Sequence, residues 1–113
     1  MGACAAIIKV LDEGLTIFDD IIGVAYDEAT GMEKFEIANG ASDTDIFPSQ
    51  ITTVDFLFLR SDQAITIKQN SSSTAVTVDA KKPLLITGGN LTALTISNAS
   101  GSTANIRRFA AGT

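Results

Sequence analysis

Apolar and polar residues alternate in short runs through the second half of the chain. Isoleucine, valine or leucine occupies every second position of segments 65–68, 76–78 and 94–97, with Thr, Lys or Ser between them. A period of two indicates strands with one face on a core. The β-branched residues in these runs also favour the pleated backbone. The side chains predicted to face the core are Ile65, Ile67, Val76, Val78, Leu94 and Ile96.

Turn-forming residues interrupt these runs at regular intervals. Five breaks rich in Ser, Asn, Asp, Gly and Pro have centres roughly 8–12 residues apart, which is typical of strands in a sandwich or barrel. The breaks are 61–63, 70–73, 79–83, 87–90 and 98–101. We therefore predict an all-β fold, a single antiparallel β-sandwich or jelly-roll-like barrel of about eight short strands, formed by residues 1–113 as one domain.

The first half of the chain is less regular. Segments 21–26 and 32–38 read as strands, the second with Phe35 and Ile37 inward, and Gly31 between them suits a left-handed loop position. Segment 39–48 is polar, and we expect a mobile loop there. Segment 5–11 fits either a strand or a short helix, and its β-branched residues favour the strand.

Targeting signals and membrane spans are not expected. Residues 3–11 are apolar, but no positive residue precedes them and acidic residues follow at once, which does not fit a signal peptide. No apolar run approaches the roughly 18 residues that a membrane span requires. The single cysteine, Cys4, cannot form an internal disulfide, and we read it as a small apolar residue in a reducing compartment.

The absence of histidine excludes several common types of catalytic site. Ser-His-Asp, Cys-His and His-based metal sites cannot form in a chain that has none. Two acidic pairs remain, Asp19-Asp20 and Asp27-Glu28, but neighbours on a strand point to opposite faces. Asp43 and Asp45 lack the ligand array of an EF-hand loop. We predict no enzymatic activity, no cofactor and no metal site.

One strand stands out because both of its faces are apolar. In segment 54–59, Val54, Phe56 and Phe58 share one face and Leu57 and Leu59 the other. Either the N-terminal segment or a loop covers the second face, or a neighbouring subunit does. The run Arg107-Arg108-Phe109 adds a cationic, aromatic edge of a kind enriched at interfaces, although two adjacent arginines also fit an exposed strand end. The candidate interface residues are Phe56, Leu57, Phe58, Leu59, Arg107, Arg108 and Phe109.

Charge is distributed unevenly along the chain. Residues 1–60 contain eleven acids and three bases, a net charge of −8, whereas residues 61–113 contain two acids and five bases, a net charge of +3. Nucleic acid is not an expected partner, because phosphate neutralisation requires a clustered basic surface. Such asymmetry permits head-to-tail contact between copies.

The C-terminal half resembles the small β-sandwich virion proteins of tailed bacteriophages. The resemblance covers residues 51–112 and rests on the order and general residue pattern of the strand segments, without a diagnostic motif. It implies a non-enzymatic virion subunit, made in the host cytoplasm, that forms a homo-oligomer such as a trimer. Its partners would be itself and the major capsid protein or other virion proteins. The segments that carry the resemblance are 56–62, 65–68, 83–87, 91–98 and 105–112.

The function expected from this resemblance is capsid decoration or cementing, with a neck or tail subunit as the alternative. A carbohydrate-binding β-sandwich is a second alternative, although such sites usually need aromatic platforms and this chain has no Trp and only Tyr26 as tyrosine. A small carboxylate-dependent hydrolase ranks third. The mechanism expected for a virion subunit is association through burial of apolar strand faces.

Overall fold

The computed structural model describes residues 2–113, with the side chains at positions 10–12, 17–20 and 88–89 outside the description. These residues form eleven β-strands and no helix, and therefore no helix that is long and apolar enough to cross a membrane. The strands are β1 (Gly2–Asp12), β2 (Leu15–Tyr26), β3 (Glu28–Ala29), β4 (Glu33–Ile37), β5 (Thr44–Asp45), β6 (Val54–Ser61), β7 (Ile65–Gln69), β8 (Val76–Val78), β9 (Pro83–Leu91), β10 (Leu94–Ser97) and β11 (Ala104–Gly112).

The strands form two packed sheets and a separate hairpin, and every pairing is antiparallel. The small sheet has the order β5-β10-β7-β8, and the large sheet has the order β3-β11-β6-β9 with β4 also paired to β11. Strands β1 and β2 pair only with each other. The predicted sandwich or jelly-roll-like fold is confirmed. The strand count exceeds about eight because loop segments contribute the two-residue strands β3 and β5.

The core lies between the two sheets, where their inner faces meet. Leu57 and Leu59 of β6 are fully buried there together with Ile67 and Ile96 of the small sheet. The predicted alternation in β7 and β10 is therefore confirmed. Val76 was expected inward but is 42% exposed, because β8 is a three-residue edge strand that pairs only with β7.

The turn predicted at residues 87–90 is wrong, because β9 continues through this segment to Leu91. Val54 pairs with Leu91 and Phe56 with Thr87, so two steps along β6 are matched by four along β9. The additional residues, which include two glycines, form an irregularity in a strand at the edge of its sheet. Glycine within a strand often marks such a bulge rather than a chain reversal.

Most of the assignments in the first half are confirmed. Segments 5–11 and 21–26 lie within β1 and β2, segment 32–38 contains β4, and Gly31 has φ +70°. Segment 39–48 is less free than predicted. It contains β5, which pairs with β10, and Ile46 at its end is only 7% exposed. The segment is therefore anchored to the core.

Asn98 is a fully buried amide that connects β4 to the turn between β10 and β11. Its Nδ2 donates to the carbonyl oxygens of Ile37 at 3.0 Å and Ser102 at 2.8 Å. Its Oδ1 accepts a hydrogen bond from the backbone N–H of Ser100 at 3.1 Å. The side chain satisfies polar backbone groups of β4 and of the turn, which a buried apolar residue at this position would leave unpaired.

Arg108 is a second buried connection, and the prediction that it belongs to an exposed edge is wrong. Its side chain points to the inner face of β11 and is 7% exposed. Its Nη2 lies 2.7 Å from Glu33 Oε2, its Nη1 donates to the carbonyl of Ile46, and its guanidinium carbon lies 5.3 Å from the Phe35 ring centroid. Arg108 thus connects β4, β11 and the loop after β5.

We expect Asn98→Ala to lower the free energy of unfolding by about 2–4 kcal/mol, because each buried group left unpaired costs about 1–3 kcal/mol. Urea denaturation measures the change. Asn90→Ala is the matched control, because Asn90 is exposed and should change stability by less than about 0.5 kcal/mol. Equal effects of the two substitutions would contradict the role assigned to Asn98.

Truncation of the adjacent arginines Arg107 and Arg108 should change stability by very different amounts. Arg108→Ala removes the partly buried ion pair with Glu33 and the packing against Phe35, and we expect a loss of about 2–4 kcal/mol in unfolding free energy. Arg107 is exposed on the other face of β11, so Arg107→Ala should stay within about 0.5 kcal/mol of the parent. If chemical denaturation showed the larger loss for Arg107→Ala, the inward placement of Arg108 would be wrong.

Candidate interaction surface

The outer face of the large sheet, which points away from the sandwich core, has a row of aromatic and apolar side chains. Phe109 of β11 lies directly opposite Phe58 of β6, and Phe58 lies opposite Leu85 of β9. Phe56 meets Phe109 edge to face, with ring centroids 6.0 Å apart and ring planes at 81°. Aromatic rings favour this geometry. We call Phe56, Phe58, Leu85 and Phe109 the aromatic row.

The seven candidate interface residues divide between the two faces of the sheet. Leu57 and Leu59 are 0% exposed and, with Arg108, lie on the inner face, so their side chains do not reach the surface. Phe56, Phe58, Phe109 and Arg107 lie on the outer face, the first three in the aromatic row. The prediction of an interface therefore remains open for these four residues only.

The alternation of the sequence predicts that Val54 shares a face with Phe56 and Phe58, but the structure places Val54 on the other face. It is 2% exposed and belongs to the core cluster between the sheets. The pairing of β6 with β11 shifts between Phe56 and Val54, with Asp55 as the extra residue. An extra residue in a bulge reverses the alternation of faces, which moves Val54 to the core side.

The hairpin formed by β1 and β2 covers part of the aromatic row. β2 contacts both β6 and β11, and residues 4–8 of β1 form one wall of a cleft opposite the aromatic row. The sequence left open whether the N-terminal segment or a neighbouring subunit covers this face. Phe56, at 4% exposed, is buried within the chain, whereas Phe58 and Phe109 remain half-buried.

This cleft is apolar and has a volume of about 610 Å³. Met32, which is 57% exposed, stands beside it, so one edge of the cleft is open to solvent. Cys4 is a half-buried free cysteine in the same wall, and burial raises the pKa of its thiol. The thiol is therefore held in its neutral form, consistent with the expected role as a small apolar residue.

The hairpin itself carries apolar residues on both faces. On the face of even-numbered residues, Cys4, Ile8 and Val24 are half-buried. On the opposite face Ile7 and Ile21 lie directly across from each other and are 77% and 63% exposed. We call this opposite side the open face; its described apolar residues are Ala3, Ala5, Ile7, Ile21 and Ala25.

The open face is the feature that sequence reasoning missed. Residues 3–11 were recognised as apolar, and their excess of apolar residues over a strict alternation was the available signal. The pattern could not show which side of the hairpin packs on the large sheet. Only the docked position of β1 and β2 reveals that the side carrying Ile7 is left uncovered.

The acidic residues considered for catalysis do not form a site in the described part of the chain. Asp27 and Glu28 are exposed, and the side chains of Asp19 and Asp20 lie outside the description. Asp43 forms an ion pair with Lys68 at 3.0 Å. No group of three or more Cys, Asp or Glu side chains within the described residues could hold a metal ion.

Comparison with known proteins identifies the fold but no family. No protein-family model matches the sequence, and no curated protein matches it. The chain is similar to a de novo designed double-stranded β-helix, with a TM-score of 0.51, 10% identity, and coverage of 72% of this chain and 99% of that one. It is also similar to the Schizosaccharomyces pombe Cnp3 cupin domain, with a TM-score of 0.50, 15% identity, and coverage of 96% and 84%. Identities this low show a shared double-stranded β-helix architecture and nothing about activity.

Proposed function

We propose that this protein is a non-enzymatic structural subunit that associates with copies of itself, and that it serves as a capsid decoration or cement protein of a bacteriophage. A neck or tail subunit is the alternative within the same class. The phage assignment is supported by the resemblance of residues 51–112 to small virion proteins. The self-association is supported by the apolar surface formed by the open face and the cleft.

A single observation carries the self-association. Five large hydrophobic side chains are exposed among the described residues, and four of them, Ile7, Leu15, Ile21 and Met32, belong to the hairpin or the cleft beside it. Scattered exposed hydrophobic residues need no explanation, but a concentration of them marks an interaction surface. An isolated two-stranded hairpin is also only marginally stable in water, so a second layer of cover would stabilise it.

The approximate free energy of burial indicates that a single contact between two copies of the chain is weak. Burying the exposed parts of Ile7, Leu15, Ile21 and Met32 would contribute roughly 6 kcal/mol. Covering what remains exposed of the half-buried Phe58 and Phe109 would add roughly 1–2 kcal/mol. Association itself costs about 4–15 kcal/mol, so one contact between two copies is weak. Repetition on a ring or a capsid lattice would convert such contacts into stable attachment, as a decoration protein requires.

Ligand chemistry that depends on histidine is excluded for this double-stranded β-helix. The chain has no histidine, so the two-histidine, one-carboxylate iron site found in many oxygenases cannot form. Tyr26 is half-buried and its ring lies against Gly2, so it does not offer an open platform for a sugar ring. Both observations favour a structural role over a metalloenzyme or a carbohydrate-binding module.

We expect the purified chain to form oligomers that dissociate on dilution from high to low micromolar concentration, and Ile7→Asp to shift it to monomers. A buried carboxylate at the centre of the open face would oppose contact with a second copy. Sedimentation velocity measures the distribution. Val76→Asp is the matched control, because Val76 is exposed but lies on β8 of the small sheet, outside the hairpin and cleft.

A wild-type chain that stays monomeric at high micromolar concentration would refute the proposed self-association. Assembly of Ile7→Asp at wild-type strength would show that the open face is not the contact. Mass spectrometry of purified particles from the phage that encodes the chain tests the virion role separately. Absence of the chain from such particles would overturn the virion role.

A further inference from the structure

A row of three cations crosses the outer face of the large sheet, next to the aromatic row. Arg107 of β11 lies directly opposite Arg60 of β6 on one side and Lys34 of β4 on the other. All three side chains are exposed and lie on neighbouring strands about 4.8 Å apart. Like charges directly opposite each other destabilise a sheet, so this arrangement is unfavourable for folding alone.

A fourth cation, Lys81, joins the row from the turn between β8 and β9. Arg60 Nε donates to the Lys81 carbonyl at 3.1 Å, and the Lys81 N–H donates to the Ser61 carbonyl at 2.7 Å. These two bonds fix the turn against the end of β6. The four cations therefore line one groove of about 530 Å³, which we call the basic groove.

None of these four cations forms an ion pair with a described residue. The ion pairs found in the described part of the chain use Lys68, Lys82 and Arg108 instead. Two carboxylates also line the basic groove, those of Glu36 and Asp62, so its formal charge is +2.

Asp62 is engaged by a neighbouring asparagine rather than by the cations. Its Oδ1 accepts the Asn105 N–H at 2.8 Å, and its Oδ2 accepts from Asn105 Nδ2 at 2.7 Å. These hydrogen bonds, with a smaller contribution from the charge of Lys81, lower the pKa of Asp62. The carboxylate is thus already paired, which leaves the guanidinium groups of Arg60 and Arg107 available to a ligand.

We propose that the basic groove binds a small ligand carrying at least two oxyanionic groups, carboxylates or phosphates. Arginine presents a fork of N–H donors that matches both groups. The groove volume lies in the range of small-molecule sites. A bound dianion would also relieve the repulsion among the cations that face each other across the strands.

A nucleic acid fits the basic groove less well than a small anion. The row crosses three strands, a width of roughly 10 Å, which is short for a track of successive phosphates. The net charge of the whole chain, −5, also repels an extended polyanion. The inference goes beyond the structural role proposed above and does not depend on a second copy of the chain.

Isothermal titration calorimetry tests the proposal, with pyrophosphate or citrate added to the full chain at low salt. The two ligands distinguish a preference for phosphates from one for carboxylates. We expect saturable binding of at least one of them, weakened about tenfold by Arg107→Gln or by Lys81→Gln, because each removes a charge-assisted hydrogen bond. Lys82→Gln is the matched control. It neutralises the adjacent lysine, which lies outside the groove beside Asp79, and should leave the affinity unchanged.

Without ligand, Arg107→Gln should raise the Tm by about 1–2 °C, since it removes repulsion across the strands. A lower Tm would assign Arg107 a role in folding and contradict the inference. Absence of saturable binding to both anions would also refute it, as would equal weakening by Lys81→Gln and Lys82→Gln, which would indicate only general surface charge. Each result is independent of whether the chain self-associates.

Discussion

The pairing of β6 with β11 places apolar side chains on both sides of the large sheet, and the remaining architecture follows from the need to cover them. Leu57 and Leu59 point into the sandwich core and are 0% exposed. Phe56, Phe58 and Phe109 point the other way. A sheet that is apolar on both faces needs two covering layers. The small sheet forms one complete layer, and the N-terminal hairpin forms the other only in part.

The two covering layers, the small sheet and the hairpin, differ in how completely their side chains are buried against the large sheet. The sandwich core is closed by buried isoleucine and leucine side chains and by the buried polar groups of Asn98 and Arg108. The hairpin pairs with neither sheet, and the described residues of its more covered face are only half-buried. Among the described side chains, the buried apolar residues all lie within residues 37–111, whereas the hairpin, whose described side chains are half-buried or exposed, carries the apolar surface proposed for association. Such a division is expected of elements that bind partners.

The outer face combines an aromatic row with a row of opposed cations. Apolar anchors beside polar or charged groups are the usual anatomy of a binding surface. Neither row is required by the core: Phe58 is left half-buried, and Arg107 faces two other cations across the strands. Like charges directly opposite each other disfavour a sheet, and the proposed anion site would give this arrangement a role in binding. The large sheet thus contributes to the core on one side and carries the surface proposed for recognition on the other.

Local patterns of the chain predict the all-β class, the strands around Ile65, Ile67, Leu94 and Ile96, and the two-sided apolar character of β6, because a period of two needs no information about distant residues. These patterns do not determine the faces of Val54, Val76 or Arg108. A bulge places Val54 on the core side, and the edge position of β8 exposes Val76. Arg108 lies inward, where it pairs with the carboxylate of Glu33 on β4. The open face of the hairpin and the alignment of Lys34, Arg60 and Arg107 likewise emerged only from the tertiary structure. Which strands become neighbours, and in what register, depends on contacts between residues far apart in sequence, and no local pattern records them.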